Sequence, residues 1–454
     1  MKQHTVKRKY PPERAITISF AVVILTGAIL LMLPISSRTH TFTPFLTCFF
    51  TATSATCVTG LVLVDTFTHW NTFGHIVIMT LIQIGGLGLL TFTTFLNIAL
   101  GKKLGLRGLQ LASESVNSSS FADAKELIRM VVSLSFGIEL VGAIILATTF
   151  VPEFGSYGIF MSLFMAISAF CNAGFDLLGF QTPYCSLTNY TDNYVVQLTI
   201  MSLIVIGGLG FIVWNDLILY RKTKKLLLHS KVVLIVTAFL IIFGGVAITV
   251  LEWNNSRTLG ELSFGDRIMA GFFQSVTMRT AGFNTIDLAS MQEMTKIVSI
   301  ILMFIGAAPG STGGGIKVTT LSVFVMTAVS IIRGRSEPVI QHRHVPAKVV
   351  YKSIAIIFLG LMVVFFTTGV ITYTTPIDDF TLTGLDAVFE AVSAFATVGV
   401  SSGVTAVSSP MTQIALCLAM FIGRIGPVSF GLTIAATRKD NRREIIPEGK
   451  IMVG

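Results

Sequence analysis

One pattern is written four times along this chain. Four short stretches rich in Ser, Thr and Ala each end at a glycine: Thr53-Ser-Ala-Thr-Cys-Val-Thr-Gly60, Ile167-Ser-Ala-Phe-Cys-Asn-Ala-Gly174, Ser275-Val-Thr-Met-Arg-Thr-Ala-Gly282 and Val392-Ser-Ala-Phe-Ala-Thr-Val-Gly399. The glycines stand 114, 108 and 117 residues apart, and in three stretches a Ser-Ala pair begins six residues earlier, at Ser54, Ser168 and Ser393. An Ile-Gly marker follows at Gly85, Gly207, Gly306 and Gly423, which is 25, 33, 24 and 24 residues on; the long interval holds a polar insertion, Leu178 to Asn193. Self-similarity on this scale outweighs any short motif, because each unit must fold alike and bury its apolar face against its neighbours.

Apolar runs flank every stretch, near 15–33, 74–100, 128–151, 194–219, 231–251, 296–332, 350–373 and 411–436. Each can cross roughly 30 Å of hydrocarbon. Only 12% of the residues are charged, about half the share of a soluble domain. A soluble enzyme, a disordered chain and a secreted disulfide scaffold are therefore excluded. The five cysteines, Cys48, Cys57, Cys171, Cys185 and Cys417, are odd in number and form no CxxC pair, so they suggest neither a disulfide framework nor a metal site. The first run is too long for a signal-peptide core and has no cleavage site behind it, so it reads as a retained span.

Helix-start signals open each short stretch. Thr43-Pro44 puts Pro at a first helical position, Ser156 offers an N-cap, and Ser263-x-x-Asp266 and Thr383-x-x-Asp386 are acidic capping boxes. Each unit thus reads as span, short helix, glycine segment, span. A helix of about three turns covers roughly 16 Å, so it enters a membrane and must return on the side it entered. The expected fold is an all-α polytopic membrane protein with eight transmembrane helices and four re-entrant pore loops around one axial pore. Its parts would be a cytoplasmic N-terminus 1–14, repeats 15–100, 101–220, 221–333 and 334–437, and a cytoplasmic tail 438–454.

Charge sets the orientation. Of 32 basic residues, 25 fall on five polar segments, among them Lys2, Lys7, Lys102, Lys103, Arg107, Arg221, Lys224, Lys225, Arg333, Arg343, Arg438 and Lys450. The opposite loops carry acids such as Asp65, Glu153, Asp176, Asp287, Asp378 and Asp379. The positive-inside rule then makes both termini cytoplasmic, and the net charge of +9 reflects topology rather than nucleic acid. Each repeat crosses twice, so the four are parallel and can surround one axis. Inverted-repeat transporters instead need an odd number of spans per repeat. Short helices entering from outside would aim their negative C-terminal poles at mid-membrane, which favours a cation.

The extended segments beyond the short helices can offer backbone carbonyls to a dehydrated ion, with glycine where no Cβ can fit. The candidate ion-binding residues are Thr56, Cys57, Val58, Thr59 and Gly60; Phe170, Cys171, Asn172, Ala173 and Gly174; Met278, Arg279, Thr280, Ala281 and Gly282; and Phe395, Ala396, Thr397, Val398 and Gly399. Helix packing is the ordinary role of a membrane glycine. It suits Gly85, Gly86, Gly88, Gly207, Gly208 and Gly210, but not four glycines in register behind capped half-helices.

Together with this pattern, Ser54-Ala-Thr-Cys-Val-Thr-Gly-Leu61 and one glycine per filter resemble the Trk/Ktr/HKT superfamily of potassium translocation proteins, over essentially the whole chain. The start at the first repeat, with no additional hairpin, resembles the Ktr branch and its KtrB-type membrane subunit. The resemblance implies a channel-like K⁺ uptake subunit of the cell membrane. It also implies a homodimer that docks on a cytoplasmic RCK nucleotide-binding ring, with K⁺ held at Gly60, Gly174, Gly282 and Gly399. Glycine rather than serine in the first filter implies the K⁺-selective version. Na⁺-coupled K⁺ symport, or a less selective Na⁺/K⁺ pathway, on the same architecture is the alternative. No organic cofactor and no nucleic acid is implied.

Two departures from symmetry point to gating. The third repeat's second span is broken by Gly306, Ala307, Ala308, Pro309, Gly310, Ser311, Thr312, Gly313, Gly314 and Gly315, before Ile316 and Lys317. No regular helix survives this run, given about 1 kcal/mol per Gly and 3 for Pro. Ile316 separates Gly315 from Lys317, so the Gly-Lys of a phosphate loop is missing. In the fourth repeat, Arg424 occupies the corresponding depth. An intramembrane guanidinium needs partners, either the carbonyls of the 306–316 loop or a buried acid such as Glu139. In the resembled family the corresponding loop lies under the filter as a gate and the arginine faces it.

Other ionisable residues carry less. Arg279 is expected to brace the third filter from behind, with Glu390 as a candidate partner, and Asp378 and Asp379 to gather cations from an outer loop. His342-x-His344 is weak metal evidence. No HExxH, GxSxG or Cys/His nucleophile pattern occurs, and a lipid-handling enzyme would need polar groups clustered at one interface, so no enzyme is expected.

Overall fold

A computed structural model of the chain describes residues 12–88, 121–180, 182–335, 338–340, 343–375 and 382–434. Lys2, Lys7, Lys102, Lys103, Arg107, Asp378, Asp379, His342, Arg438 and the tail 438–454 lie outside the described residues.

The described residues form sixteen α-helices in four successive groups. The first group is α1 (Pro12–Met32), α2 (Phe45–Cys57), the single turn α3 (Thr66–His69) and α4 (Thr72–Leu87). The second is α5 (Phe121–Phe154), α6 (Ser156–Phe170), α7 (Tyr194–Gly208) and α8 (Phe211–Thr223). The third is α9 (Leu228–Glu252), α10 (Phe264–Thr277), α11 (Glu293–Phe304) and α12 (Val318–Ile332). A small antiparallel hairpin, β1 (Val339–Ile340) with β2 (Arg343–His344), leads to the fourth: α13 (Ala347–Thr374), α14 (Gly384–Phe395), α15 (Pro410–Ile425) and α16 (Pro427–Ile434).

Length separates spans from short helices. Among the described residues α1, α5, α9 and α13 are each long and apolar enough to cross a membrane, and the pairs α7–α8 and α15–α16 qualify as bent spans. The spans turn large apolar side chains outward: Val250 is 67% exposed, Phe365 78% and Phe366 67%. In water this would be an aggregation hazard; in lipid it is the ordinary solvent-facing side. The four short helices reverse the pattern. Phe50–Cys57, Phe164–Phe170, Phe273–Thr277 and Phe389–Phe395 are buried without a gap, their serines and threonines included. The core of the molecule is therefore its four short helices, ringed by spans.

The helix starts follow local chemistry with two differences. Thr383 and Asp386 form a reciprocal capping box on α14, with Thr383 N donating to Asp386 Oδ2 at 2.8 Å. Ser263 caps α10, and its hydroxyl donates to Asp386's counterpart Asp266 at 2.6 Å. Pro44 is itself the N-cap of α2 rather than its first helical residue. Ser156 is the first residue of α6, not its cap; that place is taken by Gly155 at φ 60°. The reason is space. The N–H of Gly155 closes α5 on Val151 at 2.8 Å, and its carbonyl opens α6 by accepting from Gly158 at 3.0 Å. One residue turns the chain between two helices, and a left-handed conformation favours glycine there.

The second spans correct the expectation of a break confined to the third repeat. The chain bends by 95° between α7 and α8 and by 100° between α15 and α16, so 194–219 and 411–436 are not continuous helices. Gly210 (φ 91°) and Gly426 (φ 95°) carry the turns, and Pro427 opens α16, where its missing N–H costs nothing. Between groups three and four, Lys296 on α11 forms a buried ion pair with Asp386 on α14 at 2.7 Å.

Candidate functional site

The four glycine segments leave the C-termini of α2, α6, α10 and α14 with one backbone shape. Two residues before each glycine stands a residue with positive φ: Val58 (57°), Asn172 (60°), Thr280 (69°) and Thr397 (52°). The glycines follow at 97°, 70°, 87° and 92°. Positive φ is unfavourable for these side chains and persists only where surroundings enforce it. Hydroxyls of the short helices supply part of that constraint. Ser54 Oγ accepts from Gly60 N at 3.0 Å, and Ser393 Oγ accepts from Gly399 N at 3.1 Å while donating to Val400 O at 2.6 Å. In the third segment Thr277 Oγ1 donates to Phe283 O at 2.5 Å. Ser54 and Ser393 open two of the three Ser-Ala pairs; Ser168, which opens the other, makes no such bond.

The segments meet one another in cyclic order. A Cβ on Gly60 would stand 2.5 Å from the carbonyl oxygen of Ala173, one on Gly174 2.8 Å from that of Ala281, and one on Gly282 2.7 Å from that of Val398. One on Gly399 would collide with the carbonyl of Thr59, which closes the circle. Each glycine is thus pressed against the carbonyl that precedes the next unit's glycine. Thr56, Cys57, Phe170, Cys171, Met278, Phe395 and Ala396 are buried behind this ring, where the short helices end. The glycines of the second spans close-pack on those ends: a Cβ on Gly85 would strike Thr56 O, on Gly207 Phe170 O, and on Gly423 Phe395 O. Gly86 abuts Cys171 Sγ and Gly210 abuts Pro309 O.

The third unit replaces that close-packed glycine by a loop. Gly306 lies against Gly314, and Ile305 pairs with Ile316, with Gly306 N donating to Ile316 O at 2.8 Å. Three backbone bonds tie the loop to the α7–α8 bend: Ala308 N to Gly208 O at 3.0 Å, Thr312 N to Gly207 O at 3.3 Å and Phe211 N to Gly310 O at 2.8 Å. This is why α7 cannot run on into α8: the carbonyls and the N–H at its end are engaged by the loop instead of by the helix. The loop also reaches the glycine segments. Thr312 Oγ1 donates to Phe170 O at 3.2 Å, Gly313 sits under Thr280, Gly314 under Thr397, and Gly315 beside Ala396. Lys317 Nζ folds back onto the carbonyls of Gly313 (2.6 Å) and Gly314 (3.3 Å). Ala307, Ala308, Ser311 and Pro309 complete the loop, with Ser311 Oγ donating to Ala308 O at 2.6 Å.

Arg424 joins the loop to the first unit. It donates to the carbonyl of Thr312 and to the carbonyls of Gly85 and Gly86 on α4. Its partners are therefore carbonyls rather than Glu139. Glu139, buried in α5, instead accepts from Gln83 Nε2 at 3.0 Å and from Cys171 Sγ at 3.9 Å. That contact behind the second segment carried no sequence signal, since Gln83, Glu139 and Cys171 lie on three elements. Arg279 turns to α9, donating to the carbonyl and hydroxyl of Thr237, both at 3.4 Å. Glu390 is not its partner: it accepts from Thr405, Ser401 (3.1 Å) and the N–H of Ser402 (3.3 Å), holding the chain that follows Gly399.

Just past Gly174, Asp176 accepts from Leu178 N at 3.0 Å. Burial, with the charge of Asp65 nearby, pushes its carboxyl up to about 7. Asp65 is fixed as the cap of α3, accepting from Thr68 N at 2.7 Å and from Tyr184 N at 2.9 Å.

A family model described as TrkH, cation transport protein, matches residues 2–443. The chain belongs to the TrkH family. It is 40% identical to the Ktr system potassium uptake protein B of Bacillus subtilis, over 98% of this chain and 97% of that protein. It is 37% identical to the potassium/sodium uptake protein NtpJ of Enterococcus hirae, over 99% and 98%. The crystal structure of the potassium transporter TrkH from Vibrio parahaemolyticus superposes with a TM-score of 0.72 at 16% identity, over 96% of this chain and 87% of that one. The four-unit architecture of this TrkH-family chain is accordingly that of a polytopic membrane transporter whose relatives carry cations rather than catalyse reactions. In this chain the glycine ring and the 306–316 loop lie among the buried ends of the four short helices.

Proposed function

We propose that the chain is a KtrB-type K⁺ uptake subunit, conducting K⁺ along the axis of the glycine ring. The observation that carries this reading is the cyclic contact of Gly60, Gly174, Gly282 and Gly399 with the carbonyls of Ala173, Ala281, Val398 and Thr59. Four convergent carbonyls replace part of an ion's hydration shell, and four helix C-termini behind them favour positive charge. A single ring offers fewer binding layers than a longer filter, so discrimination against Na⁺ is modest.

In this reading the 306–316 loop is a movable barrier beside the ring, held shut partly by Arg424 and by Lys317. The repeats run over 15–100, 101–220, 221–333 and 334–437, with both termini cytoplasmic in the cell membrane. The subunit forms a homodimer, and its basic cytoplasmic face docks an RCK ring that sets the loop. The similarity to NtpJ, a potassium/sodium uptake protein, favours one second reading: coupling to Na⁺, or a pathway shared with it.

The experiment is rescue of a K⁺-uptake-deficient bacterium on low K⁺, with and without a co-expressed RCK subunit and with external Na⁺ present or replaced. Rescue that survives Na⁺ replacement supports a channel-like pathway, and its loss supports symport. Gly399→Ser should lower K⁺ over Na⁺ preference; an unmoved preference sinks the filter assignment. Excision of the loop's centre, residues 310–314, should raise flux, and unchanged flux counts against the gate.

A further inference from the structure

Where α8 ends and α9 begins, Lys224, Lys225, Lys231 and Arg343 line one open cleft of about 540 Å³. Arg343 comes from β2, so the cleft joins the second and third groups to the hairpin ahead of the fourth. Its remaining described lining is Tyr220, Leu226 and Leu227, with no carboxylate. Asp216, the acid that meets this turn, is buried and accepts from Leu227 N at 2.9 Å.

The lysines are set in place by a built turn. Lys224 stops α8 in the left-handed conformation (φ 53°), its N–H on Tyr220 O at 2.9 Å. The hydroxyl of Thr223 donates to Lys225 O at 3.1 Å. Lys224 Nζ then stands 5.9 Å from the centre of the Tyr220 ring. Gathering four like charges around one cleft is repulsive unless an anion enters it.

The surroundings identify that anion. α8, bent 95° from α7 at the end that the 306–316 loop engages, leads from that bend to the cleft. It leaves Ile218, Leu219 and Tyr220 exposed, and Leu227 at the cleft is 56% exposed. Apolar side chains and an exposed tyrosine at the level where bases gather are the composition of a membrane boundary, with acyl chains on one side and phosphates on the other. A free phosphate would use the lysines and leave Leu227 without a partner, and an acidic protein segment would leave the exposed face of α8, Ile218 and Leu219, uncovered unless it also reached along that helix.

We propose that this cleft binds the headgroup of an anionic phospholipid, with Lys224, Lys225, Lys231 and Arg343 around the phosphate and the acyl chains along Leu227 and the exposed face of α8. Naming the cytoplasmic leaflet as the source rests on the orientation given under the proposed function; the binding chemistry does not.

The test is native mass spectrometry of the full-length protein in detergent with phosphatidylglycerol or phosphatidylcholine. The wild type should retain phosphatidylglycerol in preference. The triple variant Lys224→Gln/Lys225→Gln/Lys231→Gln should lose roughly fivefold in retention per charge removed. An equally neutralised control, Arg333→Gln/Arg335→Gln/Lys352→Gln, should keep it, and the single variant Lys225→Gln should show a partial loss if the triple variant fails to fold. Equal retention of both lipids by the wild type overturns the proposal, as does undiminished retention by Lys225→Gln or by a folded triple variant. Displacement of the lipid by excess inorganic phosphate, or uptake of an RCK ring with no lipid preference, overturns it in favour of those ligands. Labelling a cysteine at position 225 with an impermeant maleimide reads the leaflet separately. Labelling from outside would refute the orientation and leave the lipid result standing.

Discussion

Replacing Arg424 by Gln separates barrier from filter. The guanidinium donates to Thr312 in the loop and to Gly85 and Gly86 on α4. Of these bonds, the one to Thr312 spans from the fourth unit to the loop. A hydrogen bond to a charged group contributes about 1.5–3 kcal/mol. Losing about 2 kcal/mol of loop stabilisation shifts a closed–open equilibrium by roughly thirtyfold, since about 1.4 kcal/mol is a factor of ten. The other tethers, Lys317 on Gly313 and Gly314 and Thr312 on Phe170 and Gly207, remain, so the loop should loosen rather than unfold. Rb⁺ flux into liposomes holding the purified subunit, without any regulatory partner, should therefore rise by about one order of magnitude or more. The K⁺ over Na⁺ preference should stay fixed, because the ring is built of Gly60, Gly174, Gly282 and Gly399 and the carbonyls of Thr59, Ala173, Ala281 and Val398. A thermal melt of the same preparation guards against general destabilisation. Unchanged flux in a folded variant, or a changed ion preference without a change in flux, would refute the reasoning.

Three further outcomes follow from the same contacts. Lys296→Ala strands the buried Asp386 carboxylate and should cost about 3–5 kcal/mol, read as a large drop in melting temperature; Lys296→Met with Asp386→Asn should recover much of it, and equal melts for both variants would contradict the pairing. Asp176 is held protonated by burial up to about 7, above the ordinary carboxylate value of about 3.9. The folded protein therefore holds a proton that the unfolded chain releases, so stability falls as pH rises from about 4 through about 7. Melting temperature should fall over that window in the wild type more than in Asp176→Asn. The charge gained near pH 7 should also raise uptake at low K⁺ in the wild type alone; parallel pH profiles of the two proteins would dismiss both expectations. Ser393→Ala removes the hydrogen bonds to both Gly399 N and Val400 O and should cost about 2 kcal/mol or more while lowering K⁺ preference; an unaltered preference would mean the brace does not shape the ring.

The architecture was legible because its causes are local or periodic. The Thr383–Asp386 capping box and the four long apolar helices α1, α5, α9 and α13 act within one unit, and each stands where the residues place it. The glycines that close-pack on neighbouring carbonyls were legible for the same reason: a missing Cβ next to a β-branched marker has few uses in a membrane. The bends were not. Gly210 and Gly426 look like packing glycines, and the α7–α8 bend depends on backbone bonds to a loop 100 residues away, Phe211 to Gly310 and Ala308 to Gly208. Pro427, at the first position of α16, is a local mark of the second bend that a reading of 411–436 as one span passes over. Side-chain directions were the least legible. Arg279 turns to Thr237 and Glu390 to Thr405 and Ser401, choices fixed by which polar groups the folded core leaves within reach.

The central claim is that ions pass through the ring made by Gly60, Gly174, Gly282 and Gly399. Crystals of the protein grown in Tl⁺ in place of K⁺ test it most directly. An anomalous peak on the axis, within coordination distance of the carbonyls of Thr59, Ala173, Ala281 and Val398, is the predicted result. Tl⁺ bound elsewhere in the membrane-spanning region with nothing at the ring would contradict it.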